Sequence, residues 1–111
     1  MLKNVSTGQL LIRNLEHANT PEKATRGLLG RSRIDNDYGM IIYHCQSIHT
    51  CYMKFAIDVV FLDINKRIIY IVKDMGPWQY TGYIKESVYA IESKPGSFTN
   101  HIKIRDQLTW Q

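Results

Sequence analysis

The apolar residues of this chain fall in short blocks separated by polar and turn-forming residues, a pattern typical of β-strands. Residues 57–64 and 67–73 are rich in β-branched side chains and flank Asn65-Lys66, which indicates a β-hairpin. Comparable blocks predict four further strands, and one more segment is expected to be extended. The strands are residues 9–16, 40–43, 87–92 and 108–110, and the extended segment is residues 47–55.

One short helix is predicted near residues 21–29. Thr20 is suited to cap its first turn, Pro21 fits the first helical position, and Glu22 complements the positive end of the helix dipole. Gly27 then favours an early end to the helix.

Many short strands with one short helix favour a mainly β fold, either an antiparallel β-sandwich or a barrel. The predicted elements do not alternate between strands and helices, so a parallel sheet is not favoured. The chain has 111 residues, which suits one domain with one core, so residues 1–111 are expected to form a single domain.

Charge and hydropathy narrow the functional classes. The net charge is +4, but Lys and Arg are dispersed along the chain rather than gathered in a stripe, which argues against binding of nucleic acid. The first residues lack the apolar core of a secretory signal, and no stretch approaches the roughly 20 apolar residues of a membrane span. With two Cys and no export signal, we expect a cytoplasmic location and free thiols.

Residues 45–63 are unusual because polar and sulfur-containing side chains interrupt an apolar segment. In an extended strand alternate residues share a face, so Cys45, His49, Cys51 and Met53 would point the same way. Such side chains suit soft metals, but Cys-x3-His-x-Cys matches zinc spacing poorly, and free Cys also packs as a small hydrophobe. Cys45, His49 and Cys51 are therefore weak metal candidates, and no cofactor is predicted.

Two carboxylates and two guanidiniums each have a structural and a functional interpretation. Asp58 and Glu92 interrupt apolar strands, where a carboxylate needs partners or its pKa rises. Each is either bonded to a turn or an arginine, or is part of a site. Arg26 and Arg31 would pair with these carboxylates and fix the helix to the sheet, or would hold a carboxylate or phosphate ligand.

Trp78 follows Gly76-Pro77 in a predicted loop. It is either a core residue or an exposed anchor for a ligand or partner. The chain contains no nucleophile elbow, phosphate-binding glycine loop, His-Glu-x-x-His or Cys-x-x-Cys motif, so no enzyme class is favoured.

Most of the chain, from about residue 10 onward, resembles the DUF192 family, and the His49-Thr50 pair resembles its bacterial subgroup. The resemblance implies a compact β-sandwich with jelly-roll character, and it implies no catalytic residues because the family has no established activity. It also implies that Arg26, Arg31, His49, Met53 and Asp58 lie in one cluster. The matching blocks are residues 24–31, 39–42, 48–63, 90–92 and 95–96.

The sequence thus predicts a non-enzymatic module that binds a small ligand or a protein partner. Two alternatives stay open: a metal-binding or thiol redox protein using Cys45, His49 and Cys51, and a structural accessory of a cell-envelope assembly, which the export signals of many relatives suggest. The residues predicted to bind a ligand are Arg26, Arg31, His49, Met53, Asp58 and Trp78.

Overall fold

The computed structural model describes all 111 residues. The strands form two β-sheets that pack face to face. The small sheet has the strand order β2-β1-β8, and the large sheet has the order β3-β4-β7-β5-β6. The strands are β1 (Leu2–Asn4), β2 (Leu10–Ile12), β3 (Asn14–Ala18), β4 (Tyr38–Tyr43), β5 (Ile57–Leu62), β6 (Ile68–Met75), β7 (Tyr89–Ser93) and β8 (Leu108–Trp110). The predicted mainly β fold is confirmed, and it is a sandwich rather than a closed barrel.

The predicted hairpin and helix are both present. Strands β5 and β6 pair antiparallel across a turn in which Lys66 has a positive φ of 62°. Helix α1 (Pro21–Arg26) begins where Thr20 Oγ1 accepts a hydrogen bond from the Lys23 amide at 3.2 Å. It ends because Gly27 adopts φ 50° and ψ −128°, which takes the chain out of the helix. A short 3₁₀ helix (Thr99–His101) precedes β8.

One pair of strands departs from the antiparallel expectation. Strands β3 and β4 pair in parallel, and α1 connects them. Parallel neighbours need such a crossover connection. The sequence did not reveal it because a six-residue helix is much shorter than the helical patterns that mark strand–helix–strand units. The predicted strand over residues 9–16 is in fact two strands, β2 and β3, one in each sheet.

Both faces of the large sheet are covered, so the six residues of β5 are all buried. Val60 and Leu62 face the small sheet and pack in one core cluster with Phe98. On the opposite face, Val59 and Phe61 pack in a second cluster, which includes residues of the segment between β4 and β5 and of the segment after α1. This second face carries the candidate site.

The prediction that residues 47–55 are extended throughout is wrong. His49 makes one isolated antiparallel bridge with Tyr80, and the chain then turns at Cys51 and Tyr52, where Tyr52 has a φ of 66°. The turn breaks the alternation, so the inference that every second side chain of this segment shares a face does not hold. No helix has the length and hydropathy to cross a membrane.

Candidate functional site

A cavity of about 370 Å³ lies between α1 and the residues that follow it, the large sheet, and residues 44–53. We call it the α1 cavity. Its lining is mixed, with apolar side chains beside an arginine, two histidines, a thiol and a carboxyl group. Its lining residues include Arg26, Leu28, Ile42, Cys45, His49, Met53 and Glu92.

Glu92 is the most unusual residue of the α1 cavity. Strand β7 places it between Met40 of β4 and Val59 of β5, and only 3% of the residue is exposed. Its Oε1 has no hydrogen-bond partner in the protein. A Cβ on Gly27 would lie 3.7 Å from that oxygen, so the end of α1 closes over the carboxyl group.

Burial raises the pKa of Glu92 to about 7. An ionised carboxylate is costly in such surroundings unless it is paired, and no arginine or lysine pairs with it here. Near neutral pH the group is therefore divided between a neutral form that donates a hydrogen bond and a charged form that needs a donor.

Thr50 fixes His49 and Met53 at the cavity wall. The Thr50 side chain is fully buried, and its hydroxyl donates to the Gly76 carbonyl at 2.6 Å and accepts from the Gln79 amide at 2.9 Å. Its backbone carbonyl accepts from Met53 N at 3.1 Å. These bonds tie the segment to the loop after β6, so the wall of the cavity is rigidly supported. This positioning role was not predicted from the sequence.

The two cysteines lie in different surroundings. Cys45 lines the α1 cavity and donates a hydrogen bond from Sγ to the Ser47 carbonyl at 3.1 Å. Burial raises the pKa of its thiol to about 11. Cys51 lies at the turn and is not part of the lining, and both thiols are free. No group of three or more His, Cys, Asp or Glu side chains is arranged to hold a metal ion.

Asp58 faces away from the α1 cavity and is fully bonded. Its Oδ1 accepts from the Asp74 amide at 2.7 Å, and its Oδ2 accepts from the Gly96 amide at 2.9 Å and from the Thr99 hydroxyl. Asp58 thus joins the end of β6 to the turn and 3₁₀ helix that follow β7. Of the two structural partners predicted for Asp58, a turn is observed, through the Gly96 amide, and an arginine is not.

Arg31 is held at the edge of the large sheet. Its Nη2 lies 2.7 Å from Glu16 Oε1, and its guanidinium stacks over the Tyr38 ring at 5.0 Å. The hydrogen bonds from Tyr38 and Arg31 hold the pKa of Glu16 below its usual value. Pairing of Arg31 with Asp58 or Glu92 is therefore wrong. Arg26 makes no ion pair.

Trp78 is 62% exposed and packs on the ring of Tyr52 at a centroid distance of 4.6 Å. Of the two interpretations of Trp78, the exposed one is the one observed. Both rings lie outside the lining of the α1 cavity.

The structure therefore divides the six predicted ligand-binding residues. Arg26, His49 and Met53 line one cavity, whereas the other three lie elsewhere. Glu92 belongs to the cavity but not to the predicted set. In the sequence, Glu92 stands out as a carboxylate that follows an isoleucine in a predicted strand. Asp58 has the same pattern, so the sequence does not distinguish the two residues.

Two solved structures share this fold. A protein of unknown function from Novosphingobium aromaticivorans DSM 12444 superposes with a TM-score of 0.83 at 20% identity, covering 98% of this chain and 81% of that chain. A protein from Sinorhizobium meliloti 1021, described as a candidate transcription regulator, superposes with a TM-score of 0.81 at 20% identity, covering 97% of this chain and 88% of that chain. Identities this low show the fold alone.

No functionally curated protein matches the chain. The model of the DUF192 family, described as an uncharacterized ACR, matches residues 3–110. Because that match spans nearly the whole sequence, the chain belongs to the DUF192 family.

Proposed function

We propose that this protein is a binding module that holds a small organic ligand in the α1 cavity. Glu92 is the buried polar anchor, and Arg26, His49 and Met53 form part of the walls. The observation that carries the proposal is Glu92, a buried residue of the cavity lining whose carboxyl oxygen Oε1 has no partner in the protein. Buried polar groups are nearly always satisfied, and a ligand would supply the missing bond.

The size and lining of the cavity support a small ligand. A volume of about 370 Å³ lies at the low end of small-molecule sites, which span roughly 300–1,000 Å³. Leu28, Ile42 and Met53 offer apolar surface beside the carboxyl group. The ligand would therefore combine a short apolar body with a hydrogen-bond donor directed at Glu92.

Binding is favoured over thiol chemistry by the state of Cys45. The thiolate is the reactive form of cysteine, and the raised pKa of Cys45 keeps the group a thiol at neutral pH. Cys51 does not share the cavity, so the two thiols are not a facing pair there. The proposed site does not include Arg31 and Asp58 of the predicted set, because both already have structural partners.

The test uses Cys45 as a reporter of the cavity. In a Cys51→Ser background, the rate at which a small maleimide alkylates Cys45 is measured alone and with members of a library of small amines, alcohols and carboxylic acids. We expect some compounds to slow the reaction and to raise the thermal midpoint, and both effects to be lost in Glu92→Met, which has no carboxyl acceptor.

Arg31→Gln serves as the matched control, because that guanidinium lies outside the cavity lining, and protection should be unchanged. Failure of every compound to protect Cys45 would contradict the proposal. So would protection that persists when Met53→Trp fills the cavity.

A further inference from the structure

The α1 cavity is lined by two residues of opposite charge that differ in exposure, and we call the buried side at Glu92 its inner end and the exposed side at Arg26 its outer end. Glu92 lies buried under Gly27, and no cationic side chain contributes to the shift of its pKa, which burial alone causes. Arg26 lies on the last turn of α1 with its side chain exposed and makes no ion pair. An unpaired acid and an unpaired guanidinium thus line the same cavity.

The surface around Arg26 is positive. Arg26 and Gly27 also line a neighbouring recess of about 240 Å³ that contains Lys23, Arg31 and one acidic residue, Glu16. Glu16 is already engaged by Arg31 and by the Tyr38 hydroxyl. The outer end of the α1 cavity therefore favours an anionic group, and guanidinium pairs well with carboxylate.

The inner end favours a cation that can donate hydrogen bonds. A hydroxyl group would satisfy Glu92 Oε1 but leave the charge of the ionised form without a counter-ion. An ammonium group satisfies both, because it carries three donors and a full positive charge. Leu28, Ile42 and Met53 leave apolar surface for a short hydrocarbon side chain.

We propose that the ligand is a small amino carboxylate, whose ammonium group binds Glu92 and whose carboxylate binds Arg26. The inference deepens the proposed function and rests on it. The ligand class is free amino acids and compounds of the same chemistry, and it follows from the opposite charges of the two cavity residues.

The pH dependence of binding follows from Glu92. The titratable groups lining the cavity with it are His44, Cys45 and His49 of the loop after β4, and Arg26 of α1, while its neighbours on β4 and β5 are apolar. An ammonium requires the ionised carboxylate. With a pKa of about 7, affinity for the amino carboxylate should fall about tenfold between pH 8 and pH 6.

The experiment compares three compounds with one hydrocarbon skeleton. Leucine carries both charges, isopentylamine lacks the carboxylate, and 4-methylpentanoate lacks the ammonium. Dissociation constants are measured by titration calorimetry or by protection of Cys45, after a first pass over the common amino acids selects the best side chain and its matched analogues.

The amino acid should bind at least tenfold more tightly than either analogue. Glu92→Gln should remove its advantage over the carboxylate analogue, and Arg26→Gln should remove its advantage over the amine. Arg31→Gln should change neither ratio. An amine that binds as tightly as its amino acid, or a ranking that survives Glu92→Gln, would overturn the inference.

The design separates this inference from the proposed function. Protection of Cys45 by neutral compounds but not by amino acids would overturn the amino carboxylate inference alone. Protection by no compound of any class would overturn both.

Discussion

Two buried carboxyl groups lie on neighbouring strands of the large sheet with opposite surroundings. Asp58 of β5 pairs in register with Ser93, the residue after Glu92 of β7, so the two carboxyls project from opposite faces of the same sheet region. Asp58 accepts three hydrogen bonds, and Glu92 Oε1 accepts none. The two groups are similarly buried, yet Asp58 holds loops together, whereas Glu92 has an unused acceptor that the proposed ligand would fill.

Removal of the Asp58 carboxylate should have the largest effect on stability. Asp58→Ala leaves two backbone amides and the Thr99 hydroxyl without their acceptor. Each unsatisfied group costs about 1–3 kcal/mol when buried. Because the two amide bonds are only partly buried, we expect the free energy of unfolding in urea to fall by about 3–5 kcal/mol, in the lower half of the sum. Thr99→Ala, which removes one donor and leaves the two amides paired, should cost about 1 kcal/mol. A loss below 1 kcal/mol for Asp58→Ala would contradict the structural role.

The pH dependence of stability should isolate Glu92. Its pKa is about 7 in the folded protein and about 4.3 when unfolded, so the folded state binds the proton more tightly. The stability that comes from this tighter proton binding is fully present below about pH 4.3. It decreases as Glu92 ionises in the unfolded chain, and it is lost as the pH rises to about 7. At about 1.4 kcal/mol per pKa unit, the total decrease is about 4 kcal/mol.

Comparing the wild type with Glu92→Gln removes the contributions of the other titrating groups to the free energy of unfolding. Unfolding free energies of the wild type and Glu92→Gln, measured from pH 4 to pH 8, should therefore diverge over that window. Parallel curves would show that the Glu92 carboxyl is not desolvated.

Sequence patterns predicted most of the sheet but little of the site. Blocks of apolar, mostly β-branched or aromatic residues predicted β4 to β8, because such side chains are enriched in strands. The parallel pairing of β3 with β4 was missed, since α1 is too short to carry a periodic signal. The turn at Tyr52 was missed as well, because it depends on a positive φ in a residue that rarely adopts one.

The roles of Asp58 and Glu92 could not be distinguished in the sequence. Each lies among apolar residues of a predicted strand, and the difference arises from which loops approach each face. The donors to Asp58 come from residues 16, 38 and 41 positions away. Such distant contacts leave no trace in the local composition. For the same reason, the local composition does not show that Arg26, and not Arg31, lines the cavity.

Gly27, which lies over Glu92, should be needed for stability because of its backbone conformation. Gly27 has φ 50° and ψ −128°, a conformation that side chains with a Cβ strongly disfavour, whereas a Cβ there would make only an ordinary 3.7 Å contact with Glu92. Gly27→Ala should therefore cost about 2 kcal/mol through backbone strain. Gly76→Ala is the control, because Gly76 has no positive φ and nothing within 4 Å of a new Cβ. Equal thermal midpoints for the two variants would contradict this explanation.

The smallest effect should come from Arg31. Its pair with Glu16 is partly solvent-exposed, and exposed ion pairs typically contribute about 0.2–1 kcal/mol. Arg31→Gln should lower the free energy of unfolding by less than about 1 kcal/mol, and the difference should shrink further in 1 M salt, which screens exposed charges. Arg26 has no carboxylate partner to lose, so Arg26→Gln should leave stability unchanged while weakening the binding of carboxylate ligands. Equal losses of stability in the two variants would show that Arg26 is as structural as Arg31, and would remove the outer half of the proposed site.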